Sequence, residues 1–183
     1  MASEFITTVT GQRFYFNNPQ PDQINLTDIA YALANTKRWG GHAYPAISVA
    51  QHSVLVAERL QRCGATPMVQ LQGLFHDAAE AYLGDIPTPI KAIMPQYQAL
   101  EMLVEDAIFK AFNIVYPMDP HVHLVDVEVR NWEYRDRMKK GTDLPLPVGN
   151  PSIIPVVSDE LAEETFVERY YDLASSLEIL KVA

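Results

Sequence analysis

The stretch GLFHDAAEAYLGDIP, residues 73–87, sets the tightest limit on the fold. Leu74, Phe75, Ala78, Ala79, Ala81 and Leu83 make it apolar enough to be buried, and Gly84, Pro87 and Pro89 mark where a helix would stop. Yet His76, Asp77, Glu80 and Asp85 carry four ionisable side chains into those surroundings. Buried charge is costly unless it is ion-paired or bound to a metal. Partners must therefore come from elsewhere in the chain, on elements packed against this one. Pairing and metal binding are the two explanations to separate.

The rest of the chain supplies helices. One is predicted from residue 26 to Asn35, with Ile29, Ala30 and Leu33 on a shared face. Ser48 and Gln51 have capping-box spacing and open a second helix, through VAQHSVLVAERLQRC to Gly64. A third starts at Pro67 and runs on as one helix through the HD stretch, and PIKAIM follows as a turn or helical fragment. A fourth, about 97–112, carries the stripe Leu100, Leu103, Val104, Ala107, Ile108 and Ala111. HVHLVDVEVRNWEYRDRMKK (121–140) begins with strand-like alternation, but its length and i,i+4 charge pairs favour a helix. Residues 141–157 hold four prolines and two glycines and read as a long surface loop. Ser158 caps a last helix, 158–181, with Leu161, Val167, Tyr171, Ala174 and Leu177 inward. ITTVTGQRFYF (6–16) is rich in β-branched and aromatic residues and reads as a short hairpin or extended segment. The expectation is all-α: one helical-bundle domain over 1–183, with its core at 26–140.

A net charge of −9 argues against a broad nucleic-acid surface, which needs basic patches, although a few converging cations can still hold a small anion. Cys63 is the single cysteine, so an intramolecular disulfide and a cysteine metal cluster are excluded and a reducing cytoplasm is expected. The first residues, MASEFITTVTGQ, lack a basic n-region and a long apolar core, so no signal peptide is read there. No stretch approaches the ~20 apolar residues of a membrane span.

His52 in AQHS, His76-Asp77 in FHDAAE and Asp126 in HLVDVE all fall in helical segments. Imidazole and carboxylate are ligands that Zn, Mn, Co and Fe accept. Neighbouring residues on a helix project about 100° apart, yet both can reach an ion lying beside it. Singly, each has an ordinary reading as a core histidine or a surface carboxylate. The buried setting of the HD pair favours a shared role.

The order H…HD…D, centred on GLFHDAAEAYLGDIPTPIK, resembles the HD-domain phosphohydrolases. It is most similar to their small 5′-deoxynucleotidase branch and its phage-encoded relatives, some of which are dNTP triphosphohydrolases. KRWGGHAY, SVAQHSV, HDAAEAYLGD and GDIPTPIK carry the likeness, which covers roughly residues 26–140. The resemblance implies a single HD-domain bundle and a divalent ion (Zn, Co or Mn, with Mg possible) on His52, His76, Asp77 and Asp126. Asp119, Glu128 and Asp136 rival Asp126, and helix register decides among them. It implies that Glu80 positions or deprotonates the attacking water and that Asp85 orients water or protonates the leaving oxygen. Arg38 and Lys91 become phosphate binders, Trp39 a wall of the sugar pocket and His42 a weaker phosphate contact. The implied activity is cleavage of the 5′-phosphoester of a deoxynucleotide. A dATP-preferring triphosphohydrolase is the first form, a 5′-deoxynucleotidase acting on monophosphates the second, and a non-catalytic nucleotide-binding module the third. The resemblance further implies a homo-oligomer, a dimer or larger, in the cytoplasm of a bacterium or of a host cell. Phe166, Tyr170 and Tyr171 either face a partner subunit or pack the core.

Overall fold

The computed structural model describes residues 5–138 and 154–179. Strands β1 (Phe5–Thr7) and β2 (Arg13–Tyr15) pair antiparallel, with Ile6 opposite Phe14. The helices are α1 (Leu26–Asn35), α2 (Val49–Arg62), α3 (Pro67–Phe75), α4 (Glu80–Leu83), α5 (Thr88–Lys91), α6 (Pro95–Ala111), α7 (Pro120–Arg137) and α8 (Asp159–Ser176). The all-α expectation with a short N-terminal hairpin holds.

Helix starts follow the local chemistry. Asn25, Ser48, Thr66, Asp119 and Ser158 each accept a backbone N–H of their own first turn. Pro67, Pro95 and Pro120 stand in first turns, where a missing N–H costs nothing. The Ser48 hydroxyl takes the Gln51 N–H at 3.2 Å, but the Gln51 amide donates to the Pro155 carbonyl instead of closing a capping box.

Helix α2 is the central element and packs against α1, α3, α7 and α8. Its Val49, Ala50, Val54 and Ala57 enter one apolar cluster, shared with α1, α3, α6 and α8. Val56 and Leu60 enter a second, with Val122, Val125, Val129 and Trp132 of α7. His52 therefore sits on a helix enclosed by both clusters and is fully buried. Gly73 sets the spacing of α2 and α3, because a Cβ there would stand 2.3 Å from Leu60 Cδ1 and 3.2 Å from Val56 Cγ1. The hairpin is fastened beside α1 and α4: Phe14 stacks on Tyr82, and Asp28 accepts the Thr10 N–H and hydroxyl.

Three expectations need correction. The HD stretch is not one helix. The His76 ring Nδ1 donates to the Gly73 carbonyl at 2.8 Å, competing with the backbone for that acceptor. The chain then tightens through i→i+3 bonds, Ala78 N–H to Phe75 O and Glu80 N–H to Asp77 O, before α4 begins. His76 and Asp77 thus lie in the turn joining α3 to α4, outside both helices. Leu103 is exposed, since α6 is covered along a narrower stripe of Val104, Ala107, Ile108 and Ala111. On α8, Leu161 and Tyr171 are exposed, while Phe166 and Tyr170 fill the core against Phe75 and Phe112. Residues 141–153 of the Pro-rich loop and residues 180 and 181 of the last helix lie outside the described residues. Residues 154–157 are irregular and held by α7, whose Arg137 donates to Ile154 O and Pro155 O. Among the described residues, no helix is long and apolar enough to cross a membrane.

Candidate metal centre and substrate cleft

Four side chains from α2, the α3–α4 turn and α7 converge. His52 Nε2 lies 3.3 Å from His76 Nε2, 3.2 Å from Asp126 Oδ1 and 3.7 Å from Asp77 Oδ2. His76 Nε2 lies 3.2 Å from Asp77 Oδ2 and 3.8 Å from Asp126 Oδ1. Ligands ~2.1 Å from a shared ion stand about 3.0–3.4 Å apart at octahedral to tetrahedral angles. The observed separations approach that spacing. Asp126 prevails over its rivals by position: Asp119 caps α7, Glu128 pairs with Arg59, and Asp136 pairs with Arg135 and takes the Ile154 N–H.

The tautomers favour a cation. His52 Nδ1–H donates to Glu133 at 2.5 Å and His76 Nδ1–H to Gly73 O, so in the neutral rings both Nε2 lone pairs face the cluster. His52, His76 and Asp126 bring two lone pairs and a carboxylate oxygen within 4.8 Å of one another, and Asp77 Oδ2, bonded to Arg38, lies beside both imidazoles; the three repel one another unless positive charge lies among them. A proton or a divalent ion can supply it. With a proton, burial opposes the charged ring, but Asp77 and Asp126 outweigh it and lift His76 to about 9. Burial also opposes the Asp77 carboxylate, yet His76 and Arg38 hold it well below the usual range. The N,N,O,O donor set fits Zn, Mn, Co or Fe better than Mg, which favours oxygen alone.

Beside the centre opens a cleft of about 520 Å³, a size suited to a small ligand. Arg38, Trp39, Asp77, Glu80, Asp85, Lys91 and Asp126 line it, with Arg130 and Tyr134 of α7. Glu80 is 4% exposed. Its Oε1 accepts from Lys91 at 3.0 Å, and its Oε2 is buried without a partner among the described residues. Burial, with Asp77 and Asp85 adding to it, pushes Glu80 up to about 8, against the pull of Lys91. Burial likewise raises Asp85. His42 is exposed and is not among the cleft residues, and His121 and His123 are exposed on α7.

The residue most plainly missed in the sequence is Glu133. It is fully buried and accepts from His52 Nδ1, from Arg38 Nε at 3.0 Å and from Trp39 Nε1 at 3.1 Å. Burial would raise its pKa, but His52 and Arg38 hold it below the usual carboxylate range. One carboxylate thus orients a convergent imidazole, a cleft cation and a cleft aromatic. Trp39 itself has φ 62, a left-handed conformation that a bulky side chain adopts only under constraint. The Glu133 bond and the Tyr134 ring, with centroids 5.6 Å apart, supply that constraint.

A helical bundle in which H…HD…D side chains meet at the foot of a cleft defines the HD-domain class of metal-dependent phosphohydrolases. Comparison with known proteins narrows the class. The family model described as "5′-deoxynucleotidase YfbR-like" matches residues 30–119. The uncharacterized protein YfdR of Escherichia coli is 33% identical over 176 residues, covering 93% of this chain and 96% of that protein. An uncharacterized protein of Rhodobacter capsulatus is 37% identical over 111 residues, 58% of this chain and 57% of that protein. The chain belongs to the YfbR-like 5′-deoxynucleotidase family of the HD superfamily.

Proposed function

We propose that the protein hydrolyses the 5′-phosphoester of 2′-deoxynucleotides and releases the deoxynucleoside. The observation that carries this reading is the unpartnered Glu80 Oε2, buried in the cleft beside the four-residue cluster. It is an acceptor without a donor, where a water must be oriented for attack. His52, His76, Asp77 and Asp126 would hold the ion. When bound, a divalent ion polarises a phosphoryl oxygen and lowers the pKa of water toward ~7. Glu80 takes the proton from the attacking water. A P–O bond forms to that water as the P–O5′ bond breaks. Asp85, whose pKa burial raises, relays to O5′ the proton that Glu80 has taken. Arg38 and Lys91 each retain N–H groups not used by their carboxylate partners and offset charge on the phosphoryl oxygens. Trp39 and Tyr134 form the wall for the sugar.

The first form of the reading is a deoxynucleoside triphosphohydrolase yielding triphosphate. The second, release of phosphate from a monophosphate, is favoured by the description of the matching family. The test is a panel of dNMPs, dNTPs and rNTPs, dATP among them, with Mn, Co, Zn and Mg, products resolved by chromatography. Deoxynucleoside release with either partner anion supports the reading. No turnover of any deoxynucleotide with any metal rejects it.

A further inference from the structure

Among the described residues three cations line the cleft, and two are already committed. Arg38 donates to Glu133 and, at 3.2 Å, to Asp77. Lys91 donates to Glu80 at 3.0 Å and to Glu101 at 2.6 Å. Arg130 is different. It is half-buried on the cleft wall and forms no ion pair or hydrogen bond with any described residue. In a chain of net charge −9, with Asp77, Glu80, Asp85 and Asp126 lining the same cleft, a guanidinium with no carboxylate partner among the described residues is out of keeping with its surroundings. Asp126, four residues earlier on the same helix, is within reach of an i,i+4 pair, yet no such pair is formed. Arg130 stands one turn of α7 beyond Asp126, about 6 Å along the helix axis.

That placement separates its task from theirs. The phosphorus under attack must lie against the cluster, within reach of Glu80. Arg38 and Lys91 are each bonded to carboxylates at that point. Arg130 is bonded to none of them and lines the cleft one helical turn past Asp126, a position one step removed from the attacked group. A monophosphate offers no anionic group there, whereas a polyphosphate does. Arg suits that position, since its planar fork takes two phosphate oxygens at once.

We propose that Arg130 binds the phosphates beyond the one attacked, so that the cleft is built for a deoxynucleoside polyphosphate. This rests on the phosphohydrolase reading above and deepens it. The test is steady-state kinetics of the full chain and of Arg130→Gln and Arg130→Lys, with a dNTP and its matching dNMP. Inorganic tripolyphosphate and inorganic phosphate serve as competing anions. A charge-assisted hydrogen bond is worth ~1.5–3 kcal/mol, which corresponds to roughly 10–100-fold in binding. Arg130→Gln is expected to raise KM for the dNTP by that factor relative to its effect on the dNMP. It should weaken tripolyphosphate inhibition to match, with kcat falling far less than KM rises. Arg130→Lys should recover part of the loss, and both variants should melt near the parent temperature, because no ion pair or hydrogen bond with a described residue is removed. Equal effects on dNTP and dNMP, or a dNTP KM close to that of the parent, overturn the assignment. So does a parent protein that hydrolyses dNMPs but no dNTP, an outcome that leaves the phosphohydrolase reading standing. Loss of both readings shows only as absence of deoxynucleotide turnover in the parent itself.

Discussion

Glu80→Gln lowers kcat by about 10²–10⁴-fold, the range for removing a positioned general base. The substitution keeps an oxygen to accept from Lys91 at the place where Oε1 now does, so the cleft and the cation beside it persist. What is lost is the basicity of the partnerless Oε2. Metal content should stay near that of the parent, since none of the four convergent atoms belongs to Glu80. The pH profile carries the same signature. A carboxylate raised by burial to about 8 is the active form only when deprotonated, so parent activity should climb with pH and level off above its pKa. Positive charge bound nearby moves that limb to lower pH. In Glu80→Gln the limb should vanish along with the rate. A variant with parental kcat, or one retaining the limb, removes Glu80 from the proton transfer.

Glu133→Ala has the second large effect, and it falls on stability and metal binding together. Its carboxylate is the shared acceptor of His52, Arg38 and Trp39. Without it, the buried Arg38 keeps Asp77 alone, and three N–H groups, on His52, Arg38 and Trp39, lose their acceptor. Removing one member of a buried ion pair costs about 3–5 kcal/mol. The loss should appear as a lowered melting temperature. Losing the carboxylate that orients a ligating histidine costs about 10–100-fold in metal affinity, measurable by titration with a chelator. Glu133→Gln should do less on both counts, because it still accepts one hydrogen bond. The depressed pKa sets the pH window. Its contribution is complete above the unfolded carboxylate pKa and is lost as pH falls through the lower folded value. Parental stability and parental metal affinity in Glu133→Ala would show that the carboxylate is not the hub described.

The fold was largely legible because its helix limits are chemical. Ser48, Pro67, Gly84 and Ser158 announce starts and stops through caps and prolines. The break at His76 was not legible, because its cause is a ring nitrogen competing for a backbone carbonyl. Hydrophobic periodicity carries no record of such a contest. Leu103, Leu161 and Tyr171 show a related limit: apolar spacing marks a stripe, but its covered width depends on which neighbour arrives. In the site, the dense HD segment named side chains that do converge. Residues 121–140 alternate charge so closely that no one face stands out. Yet a signal was present in the register. Once Asp126 faces the cluster, Glu133 lies seven residues on and returns to the same face, and Arg130 and Tyr134 follow at four and eight. Only packing against α2 says which register is right.

Whether His52, His76, Asp77 and Asp126 hold a catalytic divalent ion is decided by elemental analysis paired with activity. Freshly purified parent and Asp77→Ala proteins would be compared before and after chelation, with deoxynucleoside release as the readout. The parent should carry about one equivalent of transition metal, lose activity on chelation and regain it with Mn, Co or Zn, and Asp77→Ala should show neither metal nor activity. Metal-free parent protein that releases deoxynucleoside at full rate would contradict a catalytic role for the ion.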